Sequence, residues 1–152
     1  MSTLKIQIPE GFKIDKFNEE TGEVSFIAIP KDIKERITCF DDVLKENCIK
    51  KVDFEKQCQG LFPDEIAYRK AKLVCLAYNE GWIPNWDDSS VYKYYPWFDM
   101  RSSASGGFLC DDYGRWNARS GVGSRLCFKS SDLAMTAGKL FEQEIYKPLF
   151  TL

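Results

Sequence analysis

Residues 63–81 constrain the fold most, because they start, face and stop like a core helix. Pro63 suits a first helical position, where its missing N–H is not needed. Asp64 and Glu65 set negative charge against the positive end of the helix dipole. Ile66, Ala67, Ala71, Leu73, Val74, Leu76, Ala77 and Tyr78 form a wide apolar surface, while Arg69, Lys70 and Lys72 stay in water. Asn79-Glu80-Gly81 supplies the stop. The pattern predicts a helix of about seventeen residues, of ordinary length for a globular protein.

The flanking segments alternate with period two, the mark of half-buried strands. Leu4, Ile6 and Ile8 face one way and Lys5 and Gln7 the other, before Pro9. Asn18 through Thr21-Gly22 reads as a turn, and residues 23–29 as a second strand closed by Pro30. Together they predict an N-terminal β-ribbon over 1–30, lying on the body of the protein. Residues 31–62 are charged and irregular, with one short helical candidate at 40–47 that Thr38 caps. Past the long helix, residues 82–90 make a tight aromatic connector. Strands are predicted at 91–100, 108–112 and 125–129, separated by Ser/Gly loops at 101–107 and 117–124, which suits an antiparallel meander. Ser130 then caps a last helix. Leu133, Ala137, Leu140, Phe141 and Ile145 form its stripe, and Pro148 ends it. Without β-α-β alternation the class is α+β: an antiparallel sheet, made of the N-terminal hairpin and a three-strand meander, on two main helices. Residues 1–152 read as one domain with its core over 63–152.

Composition narrows the chemistry. Histidine is absent from all 152 residues, which removes Ser-His, Cys-His and His-metal arrangements. A net charge of −2 gives no general attraction for nucleic acid or anionic membrane. No run reaches the ~20 apolar residues of a membrane span. Cys39, Cys48, Cys58, Cys75, Cys110 and Cys127 follow no signal-like start and show no C-x-x-C spacing, so they read as free thiols rather than disulfides or metal ligands. The expected location is the cytoplasm, and no cofactor is implied. Phosphate-loop, dinucleotide and nucleophile-elbow motifs are missing. Asp87, Asp88, Asp111 and Asp112 leave a carboxylate-dependent metal hydrolase as an alternative, although adjacent strand residues point to opposite faces.

The distinctive constellation is aromatic and cationic. Trp82, Trp86, Tyr92, Tyr94, Tyr95, Trp97, Phe98, Phe108, Tyr113 and Trp116 crowd together, interleaved with Arg101, Arg115, Arg119 and Arg125. In Ser120-Gly121-Val122-Gly123-Ser124 between arginines, glycines let backbone N–H groups converge on an anion. Rings for a base and a Gly/Ser/Arg loop for phosphates are two halves of a nucleotide pocket. The candidate ligand-binding residues are therefore Trp86, Tyr94, Trp97, Arg115, Ser120, Gly121, Gly123, Ser124 and Arg125. The same residues also fit a plain role, the glycines turning the chain and the rings filling a small core.

Four blocks carry a resemblance: Ile6-x-Ile8-Pro9-Glu10-Gly11-Phe12-x-Ile14-Asp15, residues 77–88, Tyr94-Tyr95-Pro96-Trp97-Phe98, and residues 120–130. Together they resemble a family of small proteins encoded by phages, prophages and mobile elements of gut Bacteroidetes. Residues 33–61 lie outside the resemblance. It implies a phage-type accessory protein and assigns no catalytic residue. The combined expectation is a non-enzymatic binding module for a small anionic or nucleotide-like ligand or a host protein, serving an anti-defence role in the host cytoplasm. Homo-oligomerisation stays open, and a virion assembly component is the main alternative.

Overall fold

A computed structural model describes residues 5–29, 31–101, 107–120, 123 and 125–151. The chain divides into two units, Met1–Asp32 and Ile33–Leu152.

In the first unit, strand β1 (Phe12–Phe17) pairs antiparallel with β2 (Val24–Ala28). The turn between them is held by the Asn18 carboxamide oxygen, which accepts the N–H groups of Glu20 and Thr21 at 2.9 and 3.3 Å. β2 lies where its alternation predicts. The first strand does not: residues 5–9 are extended but unpaired, and Leu4 lies outside the described residues. The turn decides this, because Phe17 must face Val24 directly across it, making the preceding residues the partner strand. A β-bulge at Asp15 then shifts the phase. Phe12, Ile14 and Phe17 consequently share one face with Val24, Phe26 and Ala28, while Lys13, Lys16, Ser25 and Ile27 share the other.

The second unit holds the core. Helices α1 (Ile33–Arg36), α2 (Phe40–Glu46) and α3 (Lys51–Gln57) fill the stretch expected to be irregular, and bring Ile33, Phe40, Val43, Leu44 and Phe54 into the core. Helices of four to seven residues span too few turns for an apolar period to show. Thr38 does not cap α2 as expected. Its N–H and hydroxyl donate to the Asp42 carboxylate at 3.1 and 2.8 Å. Lys45 donates to the same carboxylate at 2.8 Å; with Thr38 it holds that carboxyl well below the usual range.

Helix α4 runs Pro63–Asn79, as its sequence predicts, and stops where Glu80 and Gly81 turn left-handed at φ 47° and 85°. Strands β3 (Lys93–Asp99) and β4 (Leu109–Trp116) follow as an antiparallel pair. The expected third strand at 125–129 reduces to one bridge, where Tyr94 and Phe128 exchange both backbone hydrogen bonds at 3.0 and 2.7 Å. A side chain explains the rest. The buried Asn79 carboxamide donates to the Cys127 carbonyl at 2.8 Å and accepts the Lys129 N–H at 2.9 Å, taking groups that a strand ladder would have used. The α+β class stands, but the three-strand meander on two main helices gives way to two two-stranded sheets and six helices among the described residues.

Helix α5 (Ser131–Leu140) begins on the predicted cap, Ser130 Oγ accepting the Leu133 N–H at 3.3 Å. It packs so closely on the β3–β4 ribbon that a Cβ on Gly138 would sit 2.5 Å from Cys110 Sγ and 2.7 Å from Pro96 Cβ. Pro148 does not end the last helix. A π-helical turn, Glu142–Tyr146, leads into α6 (Lys147–Phe150), and Pro148 sits in its first turn, where no N–H is needed. The Phe141 carbonyl accepts from both Ile145 and Tyr146, at 2.9 and 3.1 Å. This register brings Tyr146 and Phe150 onto Phe98, with ring centroids 4.8 and 5.7 Å away. All six cysteines are free thiols. Burial pushes Cys110 and Cys127 up to about 11 and Cys75 well above its ordinary value. Among the described residues no helix is long and apolar enough to cross a membrane.

Candidate functional site

The apolar surface of α4 is wider than its own core can cover. Ala71, Val74, Cys75 and Tyr78 are buried, yet Leu76, read from the sequence as core, is 61% exposed. After the left-handed turn at Glu80 and Gly81, Trp82 N–H donates back to the Asn79 carbonyl at 2.9 Å. The connector 82–86 therefore runs back beside the helix. Between them lies a groove of about 540 Å³, a size suited to small-molecule sites.

Leu73, Leu76, Cys75 and Cys127 line this groove together with Trp82, Ile83, Pro84 and Trp86 of the connector. Ile83, 83% exposed, stands at its edge. Lys72 and Arg125 also line it, and no carboxylate does. Neither cation forms an ion pair among the described residues, whereas Lys34, Lys45, Lys51, Lys70, Lys129, Arg36 and Arg101 all do. The Lys72 ammonium rests 5.4 Å from the Tyr68 ring centroid. Asn79 reaches the groove only as a spent group, since both ends of its carboxamide are bonded.

Lys93 sets the connector wall. Its ammonium is fully buried, donates to the Asp88 and Val91 carbonyls at 2.9 and 2.8 Å, and sits 5.3 Å from the Trp86 ring centroid. From Trp86 a line of rings continues over one face of the β3–β4 ribbon. Trp116 lies 6.3 Å from Trp86, Tyr95 stacks on Trp116 at 4.1 Å, and Trp97 follows at 6.1 Å. Tyr95 lies flat over Gly114, where any Cβ would enter its ring.

The candidate residues from the sequence therefore separate. Trp86 and Arg125 meet in the groove. Trp97 sits at the far end of the ring line, 55% exposed. Tyr94 and Arg115 are cross-strand partners on the opposite face, where Tyr94 packs against the core and Arg115 lies 4.2 Å from the Tyr92 ring centroid. Ser120 is exposed, and Gly123, at φ 124°, offers its carbonyl to the Leu126 N–H at 3.0 Å, closing a turn. Gly121 and Ser124 lie outside the described residues. Lys72, Leu73, Leu76, Ile83 and Pro84 were missed. The signal available for them was the excess breadth of the α4 apolar surface beside an Ile-Pro flanked by tryptophans.

A second cleft, of about 360 Å³, lies among Phe40, Leu44, Phe54, Lys51 and Lys70. Its cations are neutralised in place, Lys51 by Asp41 at 3.0 Å and Lys70 by Glu144 at 2.7 Å. Two of the four aspartates considered for hydrolysis have local tasks. Asp88 accepts the Ser90 N–H and hydroxyl at 2.9 and 2.6 Å, which holds its carboxyl below the ordinary value, and Asp112 accepts the Tyr113 N–H at 2.8 Å. Among the described residues no three Asp, Glu or Cys side chains converge to hold a metal ion. Compared with known proteins, the chain matches no family model, no curated protein and no solved structure.

Proposed function

We propose that this chain is a non-enzymatic binding module that holds a small anionic, largely apolar ligand in the groove between α4 and the connector 82–86. One observation carries the reading: two cations without carboxylate partners among the described residues stand over an apolar lining that contains no acid. Such a site repels cations and rewards an anion that brings hydrocarbon or ring surface with it. The absence of histidine and the local hydrogen-bonding of Asp88 and Asp112 support binding without turnover. The phage and mobile-element resemblance supports an accessory role in which the module sequesters an anionic effector from its host user. A thermal-shift screen of carboxylates, phosphates and nucleotides against cationic compounds tests the reading. A ligand at 100 times its Kd adds about 2.7 kcal/mol of stability. At least one anion class raises Tm, and Arg125→Ala abolishes that rise. If no anion stabilises the wild-type protein, the reading falls.

The virion-assembly reading has its own supporting observation. The β1–β2 ribbon presents Phe12, Ile14 and Phe17 on one exposed apolar face, and an isolated hairpin is marginal in water unless that face is covered. Light scattering distinguishes this reading: it requires a defined oligomer that Phe17→Glu dissociates.

A further inference from the structure

We infer that the ligand of the groove is a hydrocarbon chain ended by a carboxylate, and not a nucleotide. The inference rests on the binding reading above and specifies its ligand class. It follows from counting what the lining side chains can still offer. Lys72 and Arg125 offer charged N–H donors, and the indole N–H groups of Trp82 and Trp86 make no hydrogen bond among the described residues. The one amide in the lining, Asn79, is bonded at both ends to Cys127 and Lys129. Apart from two thiols raised toward their neutral form by burial, the lining side chains provide donors and no free acceptor.

A nucleobase edge and a ribose present donors and acceptors together. Buried here, their N–H and O–H groups would find no side-chain acceptor and would depend on backbone carbonyls alone, a poorer match than a group that only accepts. A carboxylate is acceptor-only and matches lining side chains that donate. The chain behind it asks for nothing but apolar contact, which Leu73, Leu76, Ile83, Pro84 and two indole faces supply. In the ring line beyond Trp86, the two rings nearest the groove add no competing base platform, and the exposed Trp97 stands at the far end of the line. Tyr95 and Trp116 are already stacked on each other and Tyr95 covers Gly114, so their faces are used within the protein.

The test uses the full chain, titrated with straight-chain carboxylates of six to twelve carbons below their micelle concentrations, read by calorimetry and tryptophan fluorescence. Alcohols and trimethylammonium ions of matched chain length, and AMP and cyclic dinucleotides, form the comparison arms. Carboxylate affinity rises about fourfold per added methylene until the groove is full. The matched ammonium ions bind at least tenfold more weakly. Lys72→Gln with Arg125→Gln lowers carboxylate affinity at least tenfold and leaves the alcohols unchanged. Leu76→Ser, at an exposed position that leaves the core intact, flattens the dependence on chain length. Nucleotide binding that needs Arg125, with no carboxylate binding, overturns this inference and leaves the binding reading standing. Equal affinity for carboxylates and alcohols also overturns it. Silence in every arm overturns both.

Discussion

Replacing Asn79 is the sharpest test of how the groove is built. The residue is 6% exposed and its carboxamide makes two bonds, donating to the Cys127 carbonyl at 2.8 Å and accepting the Lys129 N–H at 2.9 Å. Asn79→Ala removes both of these bonds, at about 1–3 kcal/mol each for buried groups. Alanine is the better helix former by about 0.5 kcal/mol at the last position of α4, a small offset. The net loss is therefore about 1.5–5.5 kcal/mol, measured by urea denaturation against the wild type. Asn79→Asp separates hydrogen bonding from shape. The ionised carboxylate still accepts from Lys129 but faces the Cys127 carbonyl with a second acceptor, whereas the protonated acid restores a donor there. Asp at this site consequently has a folded-state pKa raised above its unfolded value of about 3.9. Stability contributed by the protonated form is complete below that unfolded value and is lost as pH rises through the folded one. The gap between wild type and Asn79→Asp narrows on acidification, while that of Asn79→Ala does not. A variant pair with equal, pH-independent losses below 1 kcal/mol would refute the claim that Asn79 holds the 127–129 segment in place.

Two further predictions concern packing and pH. Gly138→Ala should gain about 1 kcal/mol from helix propensity alone, but the new methyl meets Cys110 and Pro96. Overpacking costs about 1–3 kcal/mol, so Tm falls, and Cys110→Ala recovers part of the loss. A rise in Tm for Gly138→Ala would show that α5 stands further from the ribbon. In alkaline solution, Cys110 and Cys127 are held up to about 11 and Tyr78 up to about 12 by burial. Their neutral forms are therefore favoured by folding. That stability is complete below pH 9 and is lost as pH rises through 11 and 12, which denaturant midpoints across pH 8–11 report. A midpoint that stays level across this range contradicts the burial.

Legibility in the sequence followed the strength of local signals. Helix α4 was readable to its ends because proline, two acids and the Glu80-Gly81 stop all lie within a few residues of its termini. Ser130 announced α5 for the same reason. The first strand was misplaced because alternation is unbroken at 4–8, whereas at 12–17 the Asp15 bulge interrupts it, and only pairing across the turn reveals the true strand. The third strand was lost to a side chain forty-eight positions away, Asn79 against Cys127, which no local pattern encodes. For the site, Trp86 and Arg125 were legible by residue type. Their meeting place on Leu76 and Ile83 was not, since exposed and core leucines look alike in a helical stripe.

The doubly accepting Phe141 carbonyl marks where one residue more than an α-helix needs has been absorbed into the chain. Deleting a single position from the turn that follows would let α5 run straight into α6 in ordinary register. Everything beyond it would then rotate by roughly 100° about the helix axis. Tyr146 and Phe150 would swing away from Phe98, and the terminal segment would lose its anchor. The length of this short turn is thus a spacer setting, and residue number there matters more than residue identity.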